Sequence, residues 1–437
     1  MQRVLFMKLN YKRTVCVGFA FFLICAFWQA YDNSIPMLLT HKFHMSQTIS
    51  GMIMALDNIL ALFMLPVFGM ISDRTRSRWG RRTPFIMYGT LAAAVFFVLL
   101  PFIDSLPLFI AVLLAALIAM ATFRTPAVAL MPDITMKPLR SKGNAVINLM
   151  GSAAGILVLA LGIVFHTARS VENPSVFKPY FISVAVIMLL ALGIFLATVR
   201  EPRFVREMHE DSVKYGIADR REEEDEQQKE NHAGNRLSPA ERRSMIFMLI
   251  SIVLWFMAYN AAISKYSVYA VSILKKDYNL NLIVAQAAAI VSYIPVGILA
   301  SKIGRKKSII GGVILLAVSF GTIATFREGS SSILMNVMFM TTGVAWATIN
   351  VNSFPMVVEM CSEADVGKYT GFYYTASMSA QIVTPIFSGF LMDKINMTIL
   401  FPYCVIFVVV SLVTMHFVRH GDSRPAAKTG LEALEDI

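Results

Sequence analysis

GMISDRTRSRWGRRTPF, residues 69–85, joins two apolar runs and decides how the rest of the chain is read. It packs five arginines and one aspartate, Asp73, into a connection too short to be a domain. Charge that dense between apolar segments belongs at a membrane surface, and Lys and Arg mark the cytoplasmic side. Pro84 suits the first turn of the next helix, where a missing N–H costs nothing. Asp73 opposes the positive rule. It is expected to hold Arg78, Arg81 and Arg82 in one arrangement, because crowded like charges repel unless neutralised.

Working outward, the 437 residues are 56% hydrophobic and only 15% charged, against about 25% charged in a soluble chain. This is the composition of an integral membrane protein. Apolar runs of roughly 20 residues, enough to cross a bilayer as a helix, fall near 14–39, 48–71, 84–102, 107–131, 144–166, 178–199, 244–264, 281–301, 307–326, 332–357, 369–392 and 398–418. Twelve spans put both termini on one side. With the N-terminus inside, 30 of the 39 Lys and Arg fall in cytoplasmic segments and 8 in exterior loops. Both termini are therefore expected in the cytoplasm, in the cell's cytoplasmic membrane. The net charge of +11 sits in short inter-span connections. That placement argues for attraction to lipid headgroups rather than nucleic acid. The first apolar segment contains Trp28, Gln29, Tyr31, Asp32 and Asn33 and is too long for a cleaved leader, so it reads as a retained span. Cys16, Cys25, Cys361 and Cys404 are scattered without a CxxC pair, which supports neither a metal site nor a disulfide framework.

Residues 200–243 form the one long hydrophilic stretch, with an acidic run at 222–226 and no apolar periodicity. They read as a cytoplasmic linker, partly disordered or loosely helical, between an N-terminal six-helix half, 1–199, and a C-terminal half, 244–437, that ends in a short cytoplasmic tail. The halves repeat. Gly80-Arg81-Arg82 returns as Gly304-Arg305-Lys306, 224 positions later. Asp133, with Lys142 nine residues on, returns as Glu359 with Lys368 nine residues on. Matching charged punctuation suggests parallel repeats, a pair that can rock about a central site.

The stretch 69–85 resembles the motif after span two in the major facilitator superfamily. Its spelling is most similar to the glycoside–pentoside–hexuronide:cation symporters, in particular their sucrose and disaccharide proton branch. RTPAVALMPD at 124–133, continuing RSKGN at 140–144, and WQAYDN at 28–33 agree with that branch. The resemblance implies an all-α integral membrane fold of twelve transmembrane helices in two pseudo-symmetric halves, working as a monomer. It also implies a cytoplasmic gate at Gly69, Asp73, Arg78, Gly80, Arg81, Arg82 and Asp133, with Glu359 and Glu363 of the other half as partners. Two positions depart from the family. Melibiose-type sodium carriers place carboxylates just before a span-two proline and a turn earlier, where this chain has Leu65 and Ala61 around Pro66. That favours the proton as coupling ion. Plant sucrose carriers have a span-four arginine where this chain has Val128, and here Arg124 lies one turn earlier.

Ionisable groups inside a span are costly and mark function by default. Away from span ends these are Asp32, Asp57 and Arg124. Desolvation favours the neutral acid and a nearby guanidinium favours the carboxylate. An aspartate moving between such surroundings can carry a proton, with Asp32 first and Asp57 second. Arg124 offers a bidentate donor to vicinal sugar hydroxyls or to an acid. Trp28, Asn33, Asn148 and Asn260 are the sugar-binding candidates, since neutral sugars need amides and flat apolar faces. Gln29, Trp255, Tyr259, Trp346, Asn350, Asn352 and Gln381 offer the same chemistry, although such groups also serve helix packing. Gly151-x-x-x-Gly155 marks a close-packed seam in span five.

No phosphate-cradling loop, HExxH pair or nucleophile elbow appears, which argues against ATP-driven transport and hydrolysis. The expected activity is secondary active transport, proton-coupled symport of a disaccharide or glycoside. It needs no cofactor beyond the proton gradient and no partner beyond sugar, proton and lipid. Export of sugars or amphiphiles, or a non-transporting receptor of the same fold, are the alternatives.

Overall fold

Without water to satisfy backbone polar groups, a chain this apolar must close its hydrogen bonds inside helices. The computed structural model describes residues 9–215, 238–360 and 366–422. The acidic run 222–226, Cys361, Glu363 and the tail after 422 lie outside the described residues. Among the described residues the helices are α1 Tyr11–Met37, α2 Gln47–Arg74, α3 Thr83–Leu99, α4 Leu106–Asp133, α5 Arg140–Val164, α6 Phe177–Thr198, α7 Glu201–Lys214, α8 Pro239–Tyr269, α9 Asn279–Ile303, α10 Arg305–Ala324, α11 Ser332–Val358, α12 Val366–Lys394 and α13 Leu400–His416. The described residues contain no strand. All but α7 are of spanning length once short terminal turns are counted, and eleven are also strongly apolar. The exception is α12, whose 29 residues carry Ser, Thr, Gln and Tyr along the span. The fold is a twelve-span helical bundle, as expected.

The two halves share a detail that the sequence does not advertise. α1 runs on into a π-helical turn at Leu38–Lys42, and α8 into another at Ala270–Leu274. Each is the first span of its half. Such wide turns are rare and often sit at functional positions.

Two compact units are distinguishable. The first comprises Met1–Tyr31, Ile59–Leu161 and Ser175–Asn231. The second comprises Asp32–Asn58, Gly162–Pro174 and His232–Ile437. The second unit thus takes up the later part of α1, the start of α2 and the connection after α5.

In the first unit, α1 buries Val17, Ala20, Ile24, Phe27 and Tyr31 at helical spacing. Phe27 meets Phe97 of α3 at 4.9 Å, and Phe97 stacks on Phe181 of α6 at 4.3 Å. Between helices in lipid, close packing supplies the attraction that the hydrophobic effect cannot. Gly151 fits the seam expected in α5, because a Cβ there would come within 2.6 Å of the Cys25 sulfur of α1.

The linker is helical at its start, and there it carries an apolar face that the sequence reading did not find. Residues 201–214 form α7, with Met208 and Tyr215 packed on Leu9, Met136, Leu139 and Val146. Phe204, Met208 and Tyr215 share one helical face, a stripe too short to stand out among so many charges. Arg13 ties α7 down, donating to the Ile134 carbonyl at 3.0 Å and pairing with Glu207 at 3.5 Å. A hydrogen bond from Arg203 and the charges of Arg203 and Arg13 hold the Glu207 carboxyl below its ordinary value. The second half restarts at a capping box. Ser238 accepts from the Glu241 N–H, and the Glu241 carboxylate accepts from the Ser238 N–H at 2.9 Å. That pairing satisfies two of the N–H groups a helix start leaves open.

In the second unit, Gly51 of α2 lies so close to the Pro385 carbonyl of α12 that a Cβ would overlap it. Nothing lies within 4 Å of a Cβ placed at Gly193 of α6. Gly51→Ala is therefore expected to lower the thermal midpoint of the purified protein. Gly193→Ala should hold or raise it, by roughly 0.5–1 kcal/mol of helix propensity. Equal midpoints for the two variants would refute this contact.

Candidate functional site

The arginine-rich end of the first unit is built on a borrowed carboxylate. Glu201, only 1% exposed, accepts from the backbone N–H groups of Arg81 at 2.8 Å, Arg82 at 3.0 Å and Thr83 at 2.8 Å, and from the Thr83 hydroxyl at 2.7 Å. These are donors at the start of α3, where the helix dipole also favours an anion. Gly80 is needed twice over. Its φ of +109° lies in the region L-residues avoid, and a Cβ would fall on the Glu201 carboxylate.

With the loop so held, the buried Arg82 guanidinium spends all three nitrogens. Nε donates to Asp133 at 2.9 Å, one Nη to Asp73 at 2.5 Å and the other to the Ser72 hydroxyl. Arg81 pairs with the second Asp133 oxygen at 2.7 Å. Two aspartates share the task expected of Asp73 alone. Arg78 instead lies over its neighbour Trp79, 4.7 Å from the ring centroid. Gly69, in the last turns of α2, faces Thr125 of α4, whose methyl would lie 3.2 Å from a Cβ there.

The second unit repeats the device. Gly304 has a φ of +93°, and a Cβ there would approach the Asp422 carboxylate. Asp422 accepts from the Lys306 N–H at 2.8 Å, at the start of α10. Arg305 pairs with Glu359 at 2.7 Å. Glu359, expected to face the 69–85 cluster, is thus engaged by an arginine of its own unit. Gly80, Arg81, Asp133 and Glu201 correspond to Gly304, Arg305, Glu359 and Asp422.

At the other end of the second unit lies a knot that the sequence reading missed. Asp393, near the end of α12, accepts from the N–H groups of Gln47 at 2.8 Å and Thr48 at 2.7 Å, and from the Thr48 hydroxyl at 2.5 Å. It caps α2 across 346 positions of sequence. Lys265 of α8, 1% exposed, donates to the Gln47 carbonyl at 2.8 Å. The Gln47 amide in turn donates to the Thr40 hydroxyl, in the turn that extends α1, at 3.2 Å. Lys265 lies one residue beyond the expected end of its span, and that is why it escaped notice.

The in-span candidates divide between the units. Arg124 of α4 sits over the Trp28 ring of α1, 5.4 Å from its centroid, in the first unit. Trp28 also meets Phe27 and Tyr31 edge-on. Asn148 of α5 belongs to the same unit and is half-buried. Asp32, Asn33 and Asp57 belong to the second unit, with Asp32 and Asp57 half-buried and Asn33 buried. Asp57 accepts from the Asn58 amide at 2.8 Å. Asn260 turns back to the Phe256 carbonyl of its own helix at 2.8 Å. Beside it, Tyr259 stacks on Trp346 of α11, with centroids 3.6 Å apart and rings within 1° of parallel. Trp255 is wholly buried and serves packing.

These features define a multi-pass membrane protein of two six-span repeats carrying matched charge networks. The Major Facilitator Superfamily profile matches residues 17–292 and again 275–435. The chain belongs to that superfamily and is a transporter, not an enzyme. Two relatives align over short stretches. The uncharacterized symporter sll1374 of Synechocystis is 30% identical over 99 residues, 20% of this chain and 18% of that one. The uncharacterized transporter YwbF of Bacillus subtilis is 30% identical over 157 residues, 35% of this chain and 37% of that one. The chain therefore spans well under half the length of either relative. Among solved structures, the inward-open xylose transporter XylE from E. coli aligns with a TM-score of 0.69 at 15% identity, over 98% of this chain and 99% of that one. The nucleoside transporter NupG aligns with a TM-score of 0.63 at 14% identity, over 93% of this chain and 98% of that one. At such identities the likeness is one of fold.

Glu201→Ala would leave three backbone donors without their carboxylate. The expected cost is about 2 kcal/mol, read as a lower thermal midpoint in detergent, with Glu201→Gln intermediate. An alanine variant melting with the parent would show that Glu201 does not hold the loop.

Proposed function

We propose that this chain is a proton-coupled symporter of a disaccharide or related glycoside. It works by alternating access in the cytoplasmic membrane with both termini in the cytoplasm. The observation that carries this reading is Arg124 lying over the Trp28 ring within two apolar spans. A guanidinium and an aromatic face give a sugar ring hydroxyl donors and a flat apolar surface together. Asp32 follows four residues after Trp28 on α1 and is the proton carrier in this scheme. The sucrose-branch spelling of 69–85 and 124–144 supports the substrate class. The symporter name of the Synechocystis relative fits symport, and a D-xylose-proton symporter of the same fold fits the proton as coupling ion. Leu65 and Ala61, where sodium carriers have carboxylates, point the same way.

The Lys/Arg asymmetry puts the Arg82 and Arg305 networks on the cytoplasmic side and the Lys265–Gln47–Asp393 knot on the exterior. In the proposed cycle, the knot fastens the outer ends of α1 and α2 to α8 and α12, and sugar enters from outside after it breaks. Proton binding at Asp32 and sugar binding at Arg124 and Trp28 precede its reclosure. Release to the cytoplasm follows, with Asp73, Arg82 and Asp133 setting the inner gate.

Purified protein in proteoliposomes should accumulate at least one disaccharide or glycoside when an inward proton gradient is imposed. Uptake indifferent to the gradient would sink symport. Asp32→Asn should abolish accumulation and spare sugar exchange at equilibrium, whereas intact accumulation would remove Asp32 as carrier. The knot has its own test. A Thr48→Cys reporter in a cysteine-free background would lose the hydroxyl bond to Asp393 but keep the backbone ones. Asp393→Ala added to it should raise labelling by an external, membrane-impermeant maleimide severalfold. Unchanged labelling would show that the knot does not restrain the outer ends.

A further inference from the structure

Not every arginine near the inner network is neutralised. Arg81 and Arg82 are paired with Asp73 and Asp133. Among the described residues, no carboxylate pairs with Arg78 or Arg200, and both are exposed. These two side chains rim one cavity of about 380 Å³ in the first unit, together with Trp79 and Pro202. Its inner wall is apolar, from Met87 of α3 to Leu196 and Val199 at the end of α6. The wall continues into the exposed flanks of both helices. From Met87 a helical stripe runs through Leu91 and Val95, 41% and 59% exposed. From Leu196 another runs through Gly193 to Leu189, and a Cβ at Gly193 would meet nothing within 4 Å. Gly193 therefore leaves a trough between exposed apolar side chains.

We propose that this cavity holds the headgroup of an anionic glycerophospholipid, with its phosphodiester between Arg78 and Arg200 and an acyl chain along the α3–α6 stripes. Two guanidiniums without carboxylate partners suit a phosphate bidentately. Basic pockets at span ends are a recurring solution for anionic headgroups. An exposed indole at the same level is the usual mark of the bilayer interface, and Trp79 is 40% exposed. The apolar wall chooses between sources of phosphate, since a free anion has no use for Met87, Leu196 and Val199. The site adjoins the device that shapes the gate loop. Arg200 directly precedes Glu201, and the lining residue Thr83 donates its hydroxyl to Glu201 at 2.7 Å. A lipid held here would brace the Gly80–Thr83 turn from outside.

The test compares lipid retention by the full chain using native mass spectrometry. Phosphatidylglycerol and phosphatidylcholine are titrated into purified protein. The parent should keep one phosphatidylglycerol in preference to phosphatidylcholine. Arg78→Gln with Arg200→Gln should weaken that retention by roughly tenfold or more. Arg76→Gln, an exposed arginine of the same loop outside the cavity, should not. A second readout needs no charge variant. Dibrominated phosphatidylglycerol should quench tryptophan emission in the parent, and most of that quenching should vanish in Trp79→Phe. Equal retention of the two lipids, an unaffected double variant or quenching that survives Trp79→Phe would each overturn the proposal. Displacement of the lipid by millimolar inorganic phosphate would instead make this a site for the free anion.

Discussion

Three of the helices begin on a carboxylate borrowed from far along the chain. Glu201 caps α3, Asp422 caps α10 and Asp393 caps α2. A spanning helix leaves its first N–H groups without internal partners at the edge of a low-dielectric slab, with the positive end of its dipole there. A carboxylate answers both needs and fastens its own segment to the helix it caps. At α3 and α10 the fastening is internal to one compact unit. At α2 it joins helices from opposite halves of the sequence, and Lys265 reinforces the join through the Gln47 carbonyl. Hydrophobic length makes the spans, while these ionic caps decide which spans are held together at their ends.

The two glycines show how tightly the caps constrain the chain. Gly80 and Gly304 sit in a backbone region that favours glycine, each beside its capping carboxylate. In the sequence they looked like half of a Gly-Arg motif. In the structure they are the clearance that lets an acid reach a helix start. The arginine directly after each glycine, Arg81 or Arg305, then reaches the acid at the end of the repeat's fourth span, Asp133 or Glu359. Glycine clearance, cap and ion pair form one mechanical piece, present once in each half.

Most of the fold could be read from the chain, because membrane spans announce themselves by length and apolarity. The expected span two, 48–71, lies inside α2, Gln47–Arg74. The Arg81, Arg82 and Asp133 assembly was foreshadowed because its halves are local motifs. Glu201 and Asp393 were not, since a cap donated across more than a hundred residues leaves no local pattern. Lys265 was missed for a different reason. A nominal span of about 20 residues ended just before it, while the helical segment continues to Leu274. The face of α7 was too short to rise above its charges. The in-span polar residues were legible as unusual, yet their partners were not. That Arg124 would lie over Trp28, and that Asn260 would spend its amide on its own helix, depends on rotation and crossing that periodicity cannot supply.

The central claim is that sugar and proton cross together, with Asp32 carrying the proton. Its most direct test follows the proton itself. Lightly buffered proteoliposomes without an imposed gradient are given a transported disaccharide on the outside, and external pH is recorded. The account predicts transient external alkalinisation that tracks sugar entry, is collapsed by a protonophore and is lost in Asp32→Asn. Sugar entry with no change in external pH would contradict it.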